Sequence, residues 1–138
     1  MSDASYGIVR HVALGYEEAV ALTKEALKEQ GFGVLTEIDV KKTMKEKIDV
    51  DFRPYLIIGA CNPRLAHRAL TAEPDIGLML PCNVVVYEEG PGAVTVEAAA
   101  PIAMLGMVEN PQLKEVADEA QVLLEKAMDL VAERAGVA

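Results

Sequence analysis

Apolar and polar positions change their spacing several times along the chain, and each change predicts an element. Residues 6–14 are rich in Ile and Val and bounded by Gly7 and Gly15, the pattern of a strand. Residues 17–30 turn to Ala, Leu, Lys and Glu, with Ala19, Leu22 and Ala26 at helical spacing and Gly31 placed as a stop. Over 33–40 the period falls to two: Val34, Thr36, Ile38 and Val40 alternate with Leu35, Glu37 and Asp39, which predicts a second strand. Residues 41–51 mix Lys41, Lys42, Lys45 and Lys47 with Glu46, Asp49 and Asp51, and set Met44 and Ile48 four apart. That spacing predicts an exposed connector carrying one short helix.

The apolar run 55–60 after Pro54 predicts a strand buried on both faces. It ends at Cys61-Asn62-Pro63. Asn62 is a preferred N-cap, and Pro63 fits a first turn because its missing N–H needs no partner there, so 64–71 is expected to be helical and to stop before Pro74. Val84-Val85-Val86-Tyr87 and Ala93-Val94-Thr95-Val96-Glu97 flank Gly90-Pro91-Gly92 and predict a hairpin. Over 111–135, Leu113, Val116, Ala120, Leu123, Ala127 and Val131 recur at intervals of three and four, which predicts the longest helix and the main cover of the sheet. Strands that follow one another without long helical crossovers favour an antiparallel sheet of about five strands with helices on one face, the α+β class. If 6–14 and 84–96 are apolar on both faces, a chain of this size cannot cover both, and a homodimer is expected.

Composition narrows the class. With 138 residues, 51% of them hydrophobic, the chain fits a single domain, 1–138, with an ordinary core. Acidic residues outnumber basic ones 22 to 13, and the net charge of −9 repels phosphates, so no nucleic acid partner is expected. The most apolar stretch, 98–108, is broken by Pro101 and Gly106 and falls short of the roughly 18 residues of a membrane-spanning helix, so no membrane association is expected. Two cysteines are too few for a disulfide scaffold, and Met1-Ser2-Asp3-Ala4-Ser5 lacks the basic and apolar regions of a signal peptide. A cytoplasmic location with reduced thiols follows as the expectation.

The candidate chemistry centres on two Cys-Asn steps, Cys61-Asn62-Pro63 leaving one strand and Pro81-Cys82-Asn83 entering another. If those strands are neighbours, both cysteines lie at one sheet edge. Cys61 precedes a helix N-terminus, whose dipole favours a thiolate, and Arg64 and His67, three apart, share a face of that helix. Such a cluster activates a nucleophile or holds a small anion, which makes Cys61, Cys82 and His67 the candidate catalytic residues. Free cysteines equally serve as small buried hydrophobes. The Cys-x-x-Cys and His-x3-His spacings of metal sites are missing, so no metal and no cofactor are expected. Arg53 reads either as an anion clamp or as a partner of Asp51, and Asn62 as the helix cap. Asn83 reads as a ligand contact or as a tie for the turn 80–83, and His11 as structural or interfacial. Arg53, Asn62, Arg64 and Asn83 form the candidate ligand-binding set.

The stretch Asp51-Phe52-Arg53-Pro54-Tyr55-Leu56-Ile57-Ile58-Gly59-Ala60-Cys61-Asn62-Pro63, with Leu65-Ala66-His67-Arg68-Ala69-Leu70, Glu73-Pro74, Gly77-Leu78 and Leu80-Pro81-Cys82-Asn83-Val84-Val85-Val86-Tyr87, resembles the domain of unknown function 302 family. The resemblance covers most of the chain. It implies a curved antiparallel sheet backed by two main helices, similar to one half of the TATA-binding protein and often dimeric, here with a short inserted helix. It implies no activity. The family motif falls on Arg53, Gly59, Cys61, Asn62, Pro63, His67, Pro81, Cys82 and Asn83, where a shared site would lie. DNA binding does not follow from the fold, given the net charge and the missing basic face. Three functions stand open: binding of a small ligand or protein partner near the Cys-Asn edge; a thiol enzyme or redox sensor in which Cys61 attacks and Cys82 resolves; and an assembly or regulatory module whose cysteines are structural.

Overall fold

The computed structural model describes residues 3–136, so Met1 and Ser2 of the chain start lie outside the described residues. Five strands, β1 (Gly7–Val12), β2 (Gly33–Asp39), β3 (Tyr55–Cys61), β4 (Cys82–Gly90) and β5 (Ala93–Ala99), form one sheet in the order β1-β5-β4-β3-β2. Every neighbouring pair is antiparallel. Helices α1 (Tyr16–Glu29) and α5 (Pro111–Gly136) pack on this sheet and on each other, so the α+β arrangement expected from consecutive strands is the one observed.

The helix α5 reaches across two cores. Its 26 residues span roughly 39 Å at 1.5 Å per residue. Leu124, Ala127, Met128 and Val131 in its second half join Ile58, Val84, Val86 and Val96 of the sheet and Ala26 and Leu27 of α1. Leu113, Val116, Ala117 and Ala120 in its first half instead meet Leu65 and Ala69 of α3 (Pro63–Ala72), Ile76 of a 3-10 turn (Pro74–Met79) and Leu105 of α4 (Pro101–Leu105). Leu123 touches both clusters and ties them together. The helix α1 ends where Gly31 takes φ +84°, a left-handed conformation that glycine enters at no steric cost. The Gly31 and Phe32 amides then donate to the Lys28 and Leu27 carbonyls, and Phe32 turns into the core, 2% exposed.

The fold departs from the sequence pattern at four places. All seven residues of β2 are exposed, because β2 is the edge strand, met by α1 at its margin, where Lys24 pairs with Glu37. Its alternation also breaks at a bulge: Val34 pairs with Ala60 but Thr36 with Gly59, which leaves Leu35 as the extra residue and puts Val34 on the same face as Glu37 and Asp39. Val40 opens α2 (Val40–Ile48) rather than closing β2, with Asp39 Oδ1 accepting from the Lys42 amide as the cap. In β3 only one face is fully covered; Leu56, Ile58 and Ala60 are buried, while Tyr55 and Ile57 face the other side half-buried. Finally, α4 was not expected in the apolar stretch 98–108. Pro101 starts it, but five residues are too few to show a helical period.

The sheet face away from α1 and α5 is mixed. The register lines up His11, Thr95, Tyr87 and Tyr55 in one row and Val9, Glu97, Val85, Ile57 and Ile38 in the next. The Tyr55 and Tyr87 rings stack at 5.2 Å, and the buried Thr95 hydroxyl donates to Glu89 while His11 Nδ1 lies 3.0 Å from it.

Candidate functional site

The pairing of β3 with β4 sets the geometry of the Cys-Asn edge. Ala60 lies opposite Cys82 and Gly59 opposite Asn83, so Cys61, one residue further, leaves the sheet beside the residue that enters it. Gly59 is buried because its neighbours occupy the space a side chain would need. A Cβ there would lie 2.9 Å from Pro81 Cγ and overlap the Thr36 hydroxyl. The chain reaches Cys82 through a cis peptide bond at Leu80-Pro81. On leaving β3 it starts α3 as expected: Asn62 Oδ1 accepts the Leu65 amide at 3.3 Å, with Pro63 in the first turn.

Between this edge, α3, the 3-10 turn, α4 and the first half of α5 lies a cavity of about 270 Å³. Both thiols are in its wall, with Asn62, Leu65, Ala69 and Leu105 among the other lining groups. Both cysteines are free and half-buried. Burial pushes the Cys82 thiol above its usual range, and the nearby Cys61 adds to the rise, so Cys82 is a neutral thiol at neutral pH. A second concavity of about 250 Å³ adjoins the first and shares Leu80, Pro81, Cys82, Pro101 and Leu105 with it.

The structure brings together only part of the expected constellation. Cys61, Cys82 and Asn62 line the main cavity, and Asn83 lines the adjoining one. Arg64 and His67 are exposed on α3 and line neither, and His67 borders a separate shallow groove with Arg68, Thr71 and Glu115. Arg53 precedes the opposite end of β3. Its guanidinium carbon lies 5.9 Å from the Tyr87 ring centroid, and six residues of strand, roughly 20 Å, separate Tyr55 from Cys61. No three His, Cys, Asp or Glu side chains among the described residues converge in a way that would hold a metal ion. The residues that shape the cavity, Leu65, Ala66, Ala69, Leu105, Val116 and Ala120, carry no chemical signature in the sequence. Helical spacing of Leu65 with Ala69 and of Val116 with Ala120 was their only signal, and it reads equally well as core.

The family described as domain of unknown function DUF302 matches residues 8–131. The crystal structure of an uncharacterized conserved protein DUF302 from Bacillus stearothermophilus superposes with a TM-score of 0.84 at 34% identity, covering 92% of this chain and 98% of that one. No curated protein matches the chain.

Proposed function

The chain belongs to the DUF302 family, a domain of unknown function, and on that premise we propose that it binds a small molecule in the apolar cavity at the Cys-Asn edge. The observation that carries this reading is a cavity of about 270 Å³ with both thiols in its wall. Ligand sites are typically concave, mostly apolar and fitted with a few polar groups, and Cys61, Cys82 and Asn62 are those groups here. Native mass spectrometry of the purified, reduced protein tests it. Added mass that is lost on denaturation and absent from Ala66→Phe, which fills the cavity from α3, is the expected result. Equal adducts on both proteins would place the ligand elsewhere.

The raised pKa of Cys82 weighs against a thiol enzyme that uses Cys82 as a thiolate and leaves Cys61 as its nucleophile. A second reading has its own support. The uncovered sheet face carries Val85, Ile57 and Ile38 in adjacent positions, with Val9 beyond Glu97 in the same row, and a homodimer formed through that face would remove them from water. Sedimentation of Val85→Lys as a monomer beside a dimeric wild type supports this; equal masses overturn it. The same reading keeps a cytoplasmic location and a sheet of the TATA-binding-protein-half type as its expectations. No described helix is long and apolar enough to cross a membrane.

A further inference from the structure

The cavity and its neighbour together say more about the occupant than either does alone. None of the described residues lining either space is charged, in a chain where 25% of residues are. A carboxylate or ammonium group brought into these walls would lose its water and find no counter-charge, which is strongly unfavourable. The polar groups within reach are neutral: two thiols and the amides of Asn62 and Asn83. Asn62 Oδ1 is already engaged by the Leu65 amide, so the capacity for hydrogen bonding is small.

Shape narrows the class further. The two spaces, about 270 and 250 Å³, share Leu80, Pro81, Cys82, Pro101 and Leu105 in their walls. A compact ring would fill one and leave the other empty. The rims are apolar as well: Leu35 is 65% exposed and Leu70 42% at the first, and Leu78 is 91% exposed and Met104 37% at the second. A flexible chain lying through both openings would cover these side chains.

Resting on the reading of the cavity as a binding site, we propose that its occupant is an uncharged, unbranched aliphatic molecule of the long-chain alcohol type, whose chain runs from the cavity beneath α3 past Leu80 and Leu105 into the adjoining space beside Ala99 and Met104. At roughly 30 Å³ per non-hydrogen atom, the share of liquid volume that a water takes, the first cavity of about 270 Å³ holds about nine atoms. Chains longer than about ten carbons therefore report on the second.

Equilibrium dialysis of tritiated n-alkanols from hexanol to tetradecanol, with decanoate as the charged comparison, tests the proposal. Affinity is expected to rise roughly fourfold per methylene through the whole series. Decanoate is expected to bind at least tenfold more weakly than decanol. Ala99→Phe should leave hexanol binding unchanged and flatten the series beyond about ten carbons, whereas Ala66→Phe should abolish hexanol binding; the unfolding midpoints of both variants show whether they remain folded. If tetradecanol binds no tighter than decanol to the wild type, or decanoate binds as well as decanol, the proposal is overturned while the cavity remains a site for hexanol. If neither hexanol nor benzene binds the wild type, the cavity reading falls too.

Discussion

Gly59 of β3 lies against Pro81 just before β4, so closely that a Cβ on the glycine would sit 2.9 Å from the proline Cγ and overlap the Thr36 hydroxyl of β2. Three segments therefore meet at a position where only hydrogen fits. Gly59→Ala should destabilise the fold by about 1–3 kcal/mol, the usual range for overpacking, as read from urea unfolding. Combining it with Thr36→Ala should recover part of the loss and no more, since the Pro81 contact remains. A Gly59→Ala protein as stable as the wild type would mean that β2 and the 80–82 segment yield freely.

Asn62 has two duties, capping α3 and lining the cavity, and two variants separate them. Asn62→Ala should lose about 1 kcal/mol of stability with the cap. Asn62→Asp keeps an oxygen for the Leu65 amide and places a negative charge at the positive end of a helix, so it should stay near wild-type stability. That charge would face the apolar cavity, and binding of decanol should weaken. Unchanged decanol binding in Asn62→Asp would separate the cap from the site.

The burial that keeps Cys82 protonated predicts different reactivity for the two thiols. At pH 8 the Cys61→Ser protein, which retains only Cys82, should be alkylated by iodoacetamide more slowly than the Cys82→Ser protein, and its rate should climb steeply as the pH is raised. Removing Cys61 also removes a neighbour that raises the Cys82 pKa, so part of the protection should go with it. Equal rates for both single-cysteine proteins at pH 8, in the folded state, would contradict the burial argument.

The features legible in the sequence were those written in local grammar. Asn62 and Pro63 announced α3, Gly90-Pro91-Gly92 announced the β4–β5 hairpin, and the recurrence from Leu113 to Val131 announced α5. The juxtaposition of the two cysteines followed once β3 and β4 were assumed to be neighbours, which the pairing of Ala60 with Cys82 bears out. The bulge at Leu35 was not legible, because it depends on the register β3 imposes on β2 rather than on the residues of β2 itself. Nor was the separation of Arg53 from Cys61. Eight positions in sequence read as near, yet an extended strand carries them to opposite ends of the sheet. A cavity is the space that side chains leave empty, and Leu65, Ala69 and Leu105 look the same in sequence whether they fill a core or wall a pocket.

Glu97 supplies a pH-dependent prediction on the uncovered sheet face, where its strand neighbours are Val9 and Val85. Burial raises its carboxyl above the usual value of 4.5, Asp3 adds to the rise, and His11 opposes it. A raised folded-state value means that the native state holds the proton more tightly than the unfolded chain. The resulting stabilisation is complete below about pH 4.5 and is lost as the pH rises through the raised value. The unfolding free energy of the wild type, from urea titrations, should therefore fall relative to that of Glu97→Gln between pH 4 and 7, by no more than about 0.5 kcal/mol because water screens a half-exposed group. A homodimer formed through this face would bury Glu97 further, so the slope should steepen as protein concentration is raised. A slope independent of concentration would mean that the face stays wet and that Val85 and Ile57 are not at an interface.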